Sequence, residues 1–415
     1  MTPSPPATPR RATSTDAVTE LALRLIGTVS LSGDEGGAAA VLGEELAELG
    51  FTTETDEYGN VIGTLEFGPG PTILFDAHLD TVPVSDADRW AHDPGGELND
   101  GRLFGRGAVD TKGPLAACVR GIAALRGHHS AGRVVISGTV AEELVEGPVL
   151  QRVAQRVEPD AVVICEPSGG LLMVGQRGRA EITIEVHGQS CHSAYPQAGR
   201  NAVEAMADLI VALRTLPLPT HPQLGPAILV LTDILSRPYP GLSVVPGGCI
   251  ATFDRRTLPD ETTDDVLAPI RAIARELSAT HGARTEVRIA VDELTTYTGA
   301  ELHAPNFAPA WITPRDTPLV SAALAGLRSA GVPTELGHYA FCTNGSGTAG
   351  ALGIPTIGFG PGQEDAAHTT DESITVHDLL TGARSYTALA RALTSLTPEE
   401  IRATPIGASE VEGHA

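Results

Sequence analysis

The first half of the chain alternates between two kinds of apolar pattern. Apolar residues spaced three and four apart predict helices, and short continuous apolar runs predict buried strands. Helices are predicted at 16–29, at 36–49, after Gly113 and at 148–157, and strands at 61–65, 73–77, 134–139 and 161–165. Because these strands are apolar on both faces and alternate with helices, the pattern predicts an α/β fold with a mostly parallel sheet covered by helices on both faces.

The pattern changes after Gly178. Residues 180–186 read AEITIEV, a strict apolar–polar alternation that is typical of a strand with one exposed face. Further elements are predicted as a helix at 201–213, strands at 227–234 and 248–253, a helix at 263–278 and a strand at 284–291. This β-α-β-β-α-β order predicts an α+β open-faced sandwich. We expect it to form a second domain over 179–292 that is inserted into the first.

The remaining pattern returns to the first domain, with predicted helices at 318–329 and 376–396 around a strand at 355–358. We call this the main domain and expect it to comprise 16–178 and 293–398. Residues 1–15 read MTPSPPATPRRATST and have no apolar stretch behind the arginines, so we expect a disordered tail rather than a secretory signal. Residues 399–415 are expected to form a C-terminal tail.

Composition narrows the classes of partner. The net charge is −23, which disfavours nucleic acid and anionic membrane surfaces as partners. No apolar window approaches the length of a membrane span. The five cysteines are scattered without a C-x-x-C pair, which argues against a disulfide framework or a thiolate zinc site and favours the cytoplasm.

Candidate chemistry recurs where the predicted strands end. His78 and Asp80 follow one strand, Glu142 and Glu143 close another, and Glu166 follows a third. Asp110 lies in the glycine-rich segment GRGAVDTKGP before a helix. Ligands of parallel α/β sheets gather outside the carboxyl ends of the strands, so these side chains are expected to project into one crevice.

Taken singly, each of these residues has an ordinary structural explanation, such as a turn former or a solvated strand end. Together, three carboxylates in one crevice would repel one another unless a cation neutralised them. Imidazole and carboxylate ligands suit zinc, with cobalt or manganese as alternatives. Two metal ions about 3.5–4 Å apart, sharing one carboxylate, would satisfy this many acidic groups. A further imidazole is expected, and His368 is the best placed.

The motifs in this order resemble a known family, the cocatalytic dizinc metallopeptidases that include acetylornithine deacetylase, succinyl-diaminopimelate desuccinylase, aminoacylase and glutamate carboxypeptidase. The segments GQRGRAEI and GFGPG are most similar to the branch described as selenium-metabolism hydrolases. The matching motifs run from about residue 20 to 395 and are HLDTVPV, GRGAVDTKGP, TVAEE, CEPS, GQSCHSAYPQAGRNA and AHTTDE.

The resemblance implies a role for each motif residue. Asp110 would bridge the two metals, His78 and Glu166 would complete one metal site, and Glu143 and His368 the other. Asp80 would hydrogen-bond the second nitrogen of His78. Glu142 would be the general base for attack by a metal-bridged hydroxide on an amide carbonyl.

The resemblance also implies that the inserted domain 179–292 is a lid and dimerisation domain, and it implies how substrate is held. His192, in SCHSAYP, would stabilise the oxyanion in the partner subunit of a homodimer, and residues 180–186 are a candidate exposed edge for pairing two lids. Without the resemblance, His192 would be interpreted as a loop-capping residue. Arg256 would clamp a substrate carboxylate, although capping a strand end in solvent is equally plausible. Ser243 stands where the family has a carboxylate-binding asparagine, which weakens the case for a conventional pocket. Residues Asn344, Gly345 and Ser346 would present backbone N–H groups to substrate, or form a flexible turn.

The leading hypothesis is therefore a metal-dependent amidohydrolase acting on an N-acyl amino acid or a small peptide-like amide. A dipeptidase, carboxypeptidase or N-carbamoyl amino acid hydrolase is the alternative. In the family, a glutamate at the position of Glu166 favours deacylases and carboxypeptidases over aminopeptidases. A catalytically silent binding relative would require the loss of a ligand or of the base, and all of these residues are present.

Overall fold

The computed structural model describes residues 15–129, 131–332 and 335–405. The helices of the described residues are α1 (Thr15–Ile26), α2 (Gly36–Glu48), α3 (Lys112–Ala123), α4 (Pro148–Val157), α5 (Ala202–Leu213), α6 (Thr263–His281), α7 (Pro318–Ser329), α8 (Val376–Leu393) and α9 (Pro398–Arg402).

The strands of the described residues form the main sheet, the lid sheet and several small ribbons. In chain order they are β1 (Thr52–Thr55), β2 (Val61–Glu66), β3 (Thr72–His78), β4 (Glu97–Asn99), β5 (Arg102–Phe104), β6 (Arg133–Thr139), β7 (Ala161–Ile164), β8 (Leu172–Gln176), β9 (Gly178–His187), β10 (Cys191–His192), β11 (Thr220–His221), β12 (Gly225–Pro226), β13 (Ile228–Arg237), β14 (Val244–Val245), β15 (Gly248–Thr257), β16 (Arg284–Ile289), β17 (Val291–Thr295), β18 (Glu301–Pro305), β19 (Phe307–Ala308), β20 (Trp311–Ile312), β21 (Leu336–Tyr339), β22 (Thr356–Gly358) and β23 (Ser373–Thr375).

The main sheet has the strand order β1-β2-β6-β3-β7-β22-β8-β20, with β21 paired to β8. Its centre, β6-β3-β7-β22, is parallel, whereas β1 and β2 on one side and β20 on the other pair antiparallel. The predicted α/β fold is confirmed, with an antiparallel margin on each side. The parallel centre matters most, because it brings the carboxyl ends of four strands to one edge.

Helices cover both faces of this sheet, as the apolar strands require. On one face, Ile73 and Phe75 of β3 belong to a core that includes residues of α1, α3 and α8. On the other face, Leu74 packs in a second cluster with Leu150 and Val153 of α4. Both faces of β3 are thus buried, which leaves its carboxyl end as the place where polar side chains reach a crevice.

The lid is an antiparallel sheet with the order β13-β15-β9-β16, and β19 also pairs with β9. Helices α5 and α6 pack on one face through an apolar cluster of their own. This is the predicted open-faced sandwich. The expectation that residues 180–186 form an exposed edge is corrected, because β9 lies between β15 and β16. The long strand β13 is at the edge instead.

The boundaries of the domains differ in detail from the predicted ones. The β17–β18 hairpin packs on the main domain, where the Tyr297 hydroxyl donates to the Gly59 carbonyl at 2.9 Å. The chain then returns to the lid through β19 before β20 joins the main sheet.

At the ends of the chain, the expected tail 1–15 lies outside the described residues except for Thr15, which begins α1. Contrary to the expected tail from 399, α9 packs its buried Ile401 against the main core, and Arg402 pairs with Asp160 at 2.6 Å. Residues 406–415 lie outside the described part of the chain.

Within those described ranges, none of the helices has the length and apolar character needed to cross a bilayer.

Candidate metal centre and active site

The four parallel strands deliver the predicted side chains to one edge of the sheet. His78 is the last residue of β3, Glu142 and Glu143 follow β6, and Glu166 follows β7. His368 lies in the loop after β22, and Asp110 precedes α3. Glu142 and Glu166 are buried and His78 is only 1% exposed, so these groups are held in the protein rather than in solvent.

Asp110 lies between the two imidazoles. One of its oxygens is 2.9 Å from His78 Nε2 and the other is 3.0 Å from His368 Nε2. Glu166 is 3.5 Å from His78 Nε2, and Glu143 is 3.1 Å from His368 Nε2. The distances divide the donors into two sets that share Asp110, namely His78 with Glu166 and His368 with Glu143.

The ligand atoms can also be grouped in another way. Those of His78, Glu142 and Glu166 lie within 4.8 Å of one another, as do those of His78, Asp110 and Glu143. This grouping includes Glu142, whose carboxylate is 3.9 Å from His78 Nε2. We prefer the division around Asp110, because it uses both oxygens of the central carboxylate and leaves Glu142 as the more loosely associated acid.

The electrostatics of the cluster show an excess of negative charge. Burial, with the neighbouring carboxylates, raises the pKa of Glu142 and Glu166 well above the ordinary value of 4.5. Asp110 and Glu143 raise the pKa of His368 to about 10. Burial opposes the protonation of His78, but Glu166 and Asp110 outweigh it and raise the pKa of His78.

The donor set therefore fits divalent cations. Carboxylates forced together in a buried crevice are stabilised by positive charge placed among them. Here the acids converge with two imidazole nitrogens, and one carboxylate faces both of them. This is the ligand chemistry of a two-ion site built from nitrogen and oxygen donors.

Asp80 holds His78 and the two adjacent glutamates in place through hydrogen bonds. The His78 Nδ1–H donates to the Asp80 carbonyl oxygen at 2.8 Å, while the nearer carboxylate oxygen of Asp80 is 3.4 Å away. The expected contact from the carboxylate is thus the weaker of the two. The carboxylate instead accepts the backbone N–H groups of Glu142 at 3.2 Å and Glu143 at 3.0 Å. Asp80 fixes the tautomer of His78 mainly through its backbone, and it fixes both glutamates through its side chain.

A cavity of about 370 Å³ adjoins the cluster and lies between the main domain and the lid. Its lining includes Arg256, as predicted for a substrate contact. It also includes residues that our reading of the sequence did not assign to the site, namely Glu146, Arg179, Asp254, Phe341, Cys342, Glu364 and Ala367. A larger surface cavity of about 570 Å³, lined in part by Thr313, Arg315 and His338, shares none of these residues.

The segment 344–346 does not line this cavity, and its expected role is corrected. The Asn344 side chain donates to Asp76 and Thr139 and accepts the Gly147 N–H, all within 3.1 Å. The N–H groups of Gly345 and Ser346 donate to Thr343. The Asn344 side chain and the N–H groups of Gly345 and Ser346 are therefore engaged inside the fold, where they anchor the turn before α4.

Among the described residues, His192 has no hydrogen bond or ion pair with the cluster. It lies on β10, which pairs with β14, and its side chain is exposed. Its Nδ1 accepts the Ala194 N–H at 3.0 Å, which is the loop-capping arrangement considered as the alternative for this residue. His192 is also absent from the lining of the cavity beside the cluster, so its expected contact with substrate stays a prediction.

The fold and the cluster define a metal-dependent hydrolase, and comparison with known proteins identifies the family. Residues 74–392 match the model of peptidase family M20/M25/M40. The chain is 32% identical over 374 residues to the uncharacterized protein YgeY of Escherichia coli K12, covering 88% of this chain and 91% of that one. It is 31% identical over 388 residues to a succinyl-diaminopimelate desuccinylase of Methylorubrum populi, covering 86% and 94%. The chain belongs to the M20/M25/M40 peptidase family, and it is a metal-dependent hydrolase acting on amide or peptide bonds.

Solved structures share the fold. The aminopeptidase PepT of Bacillus cereus superimposes with a TM-score of 0.72 at 19% identity, covering 92% of this chain and 99% of that one. The YXEP protein of Bacillus subtilis is described as a dinuclear metal binding peptidase of the M20 family. It superimposes with a TM-score of 0.69 at 16% identity, covering 92% of this chain and 98% of that one.

Proposed function

We propose that the chain hydrolyses the amide bond of an N-acyl amino acid or a small peptide-like substrate at a two-metal site. His78, Asp110 and Glu166 would hold one ion, and His368, Glu143 and the shared Asp110 the other. The observation that carries the proposal is the placement of the Asp110 carboxylate, whose oxygens lie 2.9 and 3.0 Å from the two imidazoles.

Zinc suits these imidazole and carboxylate donors, with cobalt or manganese as alternatives. When bound, the two ions supply Lewis acidity, which polarises the substrate carbonyl and makes the attacking water more acidic.

Glu142 would move the proton. It lines the cavity beside the ligands, and Asp80 holds its backbone N–H at 3.2 Å. Burial among other carboxylates raises its pKa, and a carboxylate with a raised pKa is a stronger base. Glu142 would take a proton from the attacking water and return it to the leaving amine.

Arg256 would bind a carboxylate of the substrate. Its Nε donates to Asp254 at 2.8 Å, and within the described residues its two terminal nitrogens have no hydrogen-bond partner. A guanidinium with two free terminal nitrogens matches the geometry of a carboxylate. A cavity of about 370 Å³ suits a molecule of this size better than a folded protein.

The test is an assay of zinc- or cobalt-loaded protein with N-acetyl, N-succinyl, N-formyl and N-carbamoyl amino acids and with dipeptides, read by mass spectrometry. Release of an acid supports deacylation, and a pair of amino acids supports a dipeptidase or carboxypeptidase. Ammonia with carbon dioxide supports the carbamoyl alternative. No turnover of any class by fully loaded protein would contradict the proposal and favour a silent binding relative.

We further propose a homodimer in which the lid edge β13 pairs with that of a second copy. This edge exposes the apolar side chains of Val230 and Ile234, at 49% and 46%. An unpaired edge strand with exposed apolar residues favours pairing with another chain. The variant Ile234→Lys should be monomeric by light scattering, whereas Leu98→Lys, at a residue 51% exposed in the main domain, should remain dimeric. A monomeric wild-type protein would exclude the dimer.

All five cysteines are free thiols, which supports a cytoplasmic location.

A further inference from the structure

Four charged side chains form a continuous chain of ion pairs across the cavity. Glu146 belongs to the turn that carries Glu142 and Glu143, whereas Arg179, Asp254 and Arg256 belong to the lid strands β9 and β15. All four line the cavity, with side-chain exposures of 14–28%. Partly buried pairs of this kind are less screened by solvent than pairs on the open surface.

The register of the lid sheet creates a charge conflict. Arg179 on β9 lies directly opposite Arg256 on β15. Like charges directly opposite each other destabilise a sheet. The carboxylate of Asp254 relieves this conflict, because one of its oxygens accepts Arg179 Nε at 3.2 Å and the other accepts Arg256 Nε at 2.8 Å. A single carboxylate therefore sets the direction of both guanidinium groups.

Arg179 also reaches the main domain. Its Nη1 donates to both oxygens of Glu146, at 3.0 and 3.3 Å. The backbone next to Glu146 is held in turn, since the Gly147 N–H donates to the buried Asn344 side chain. The order of contacts is thus Glu146, Arg179, Asp254 and Arg256, and the first contact crosses between the domains.

We propose that Arg179 is a positioning residue, anchored by Glu146, that orients Arg256 through Asp254 only while the lid is seated on the main domain. The inference rests on the proposed function, because it takes Arg256 to be the contact for the substrate carboxylate. It adds that selectivity for this carboxylate depends on an ion pair that does not touch the substrate.

Neutralising Glu146 removes the contact that holds Arg179 to the main domain. Arg179 then faces Arg256 with the Asp254 carboxylate between them. Arg256 then loses its fixed direction, and the preference for a carboxylate-bearing ligand falls. The metal ligands are untouched, so the metal content and the affinity for an uncharged ligand stay the same. This pattern separates a positioning role from general damage to the fold.

The experiment measures binding of N-acetylglycine and N-acetylglycinamide by calorimetry, in zinc-loaded protein that carries Glu142→Gln to prevent turnover. The two probes differ in the carboxylate alone. We expect the acid to bind at least about tenfold more tightly than the amide, as for a charge-assisted hydrogen bond. Addition of Arg256→Gln should reduce this ratio towards one.

Glu146→Gln and Arg179→Gln should each reduce the ratio to near that of Arg256→Gln, with amide affinity changed less than about twofold. The double variant should be no worse than either single variant, because both break one chain of contacts. Arg179→Lys should be intermediate, since one ammonium group cannot serve both carboxylates at these positions. Glu181→Gln is the matched control, because Glu181 lies on the same face and pairs with Arg179 at 3.6 Å, but it makes no hydrogen bond to Arg179 and does not link it to Glu146 or Arg256.

A ratio that persists in Glu146→Gln and Arg179→Gln but falls in Arg256→Gln would overturn the inference while leaving the proposed function intact. A ratio that persists in Arg256→Gln would overturn the carboxylate contact itself.

Discussion

At the scale of single residues, we propose different roles for the adjacent acids Glu142 and Glu143. Glu143 lies 3.1 Å from His368 Nε2 in the set that shares Asp110. Glu142 is the acid that this division leaves free for proton transfer. The assignment is testable because a ligand and a base respond differently to removal of the charge.

Glu142→Gln should lower turnover by about 10²–10⁴-fold, the usual contribution of a general base, while leaving two equivalents of metal bound. Glu143→Gln should lose about one equivalent of bound metal, because a charged metal ligand is removed. Activity and elemental analysis of the same samples check both expectations. Metal loss in Glu142→Gln with retention in Glu143→Gln would show that the two roles are exchanged.

The convergence of site residues could be predicted from the sequence where their position follows from the end of a buried strand. His78, Glu142, Glu143 and Glu166 needed only the strand boundaries to be placed together. Glu146 and Arg179 could not be identified in this way, because their roles depend on how the lid docks. Gly345 and Ser346 were misread, since a glycine-rich segment gives no sign that its N–H groups are bonded inside the fold.

At the scale of elements, the connector between α1 and α2 holds the site from one side. Ser32 donates to the Asp80 carboxylate at 2.7 Å, and Lys112 donates to the Thr28 carbonyl at 2.7 Å. The buried carboxylate of Glu35 accepts the N–H groups of Gly33 at 2.9 Å and Ala141 at 3.0 Å. Ala141 precedes Glu142 and has a φ of 61°, a conformation that a non-glycine residue adopts only when its surroundings impose it.

Glu35 should make stability depend on pH in a defined direction. Burial raises the pKa of Glu35 from 4.5 to about 7, so the folded protein keeps a proton that the unfolded chain releases. Stability conferred by the protonated carboxyl is present below about pH 4.5 and is lost as the pH rises towards 7. With excess EDTA present, the free energy of unfolding of wild type should fall relative to Glu35→Gln by an amount on the order of 2–3 kcal/mol across this window.

Denaturant titrations of both proteins between pH 4.5 and 8 measure that difference. Glutamine is the matched variant because it is uncharged, has nearly the same shape and keeps the Oε1 acceptor. A difference that stays constant over the whole range would contradict the assignment of a raised pKa to Glu35.

Long elements were predicted well from the apolar pattern, whereas several short ones were not. Helices α4 and α7 have the predicted bounds, β3 is longer than predicted by one residue at each end, and β6 is longer by one residue at its start. The short strands β7 and β22 were predicted from continuous apolar runs, whereas β5, β20 and β21 are too short for a two-residue period to be recognised. The central position of β9 also could not be deduced, because its alternating pattern comes from the open face of the lid and not from a free edge.

At the scale of the whole molecule, the exposed position of His192 bears on whether the site is shared between chains. If His192 serves the partner's site, His192→Ala should be nearly inactive. Mixing it with Glu142→Gln under conditions that exchange subunits should then restore activity. A mixed dimer has one intact site, so random pairing should give about a quarter of wild-type activity.

The absence of any rescue in verified mixed dimers would contradict a shared site. Homodimers of each variant, treated in the same way, are the controls. The sequence alone could not decide this point, because the distance between His192 and a metal cluster in another chain depends on the assembly and not on local pattern.

The central claim is that the acids at the rim of the main sheet are held together by two divalent ions. The most direct test is elemental analysis of purified, active protein, before and after chelation and after adding back zinc or cobalt. The account predicts two equivalents per chain, loss of activity on chelation and recovery on addition of metal, with Asp110→Asn failing to retain the pair. Fully active protein that contains no divalent metal would contradict it.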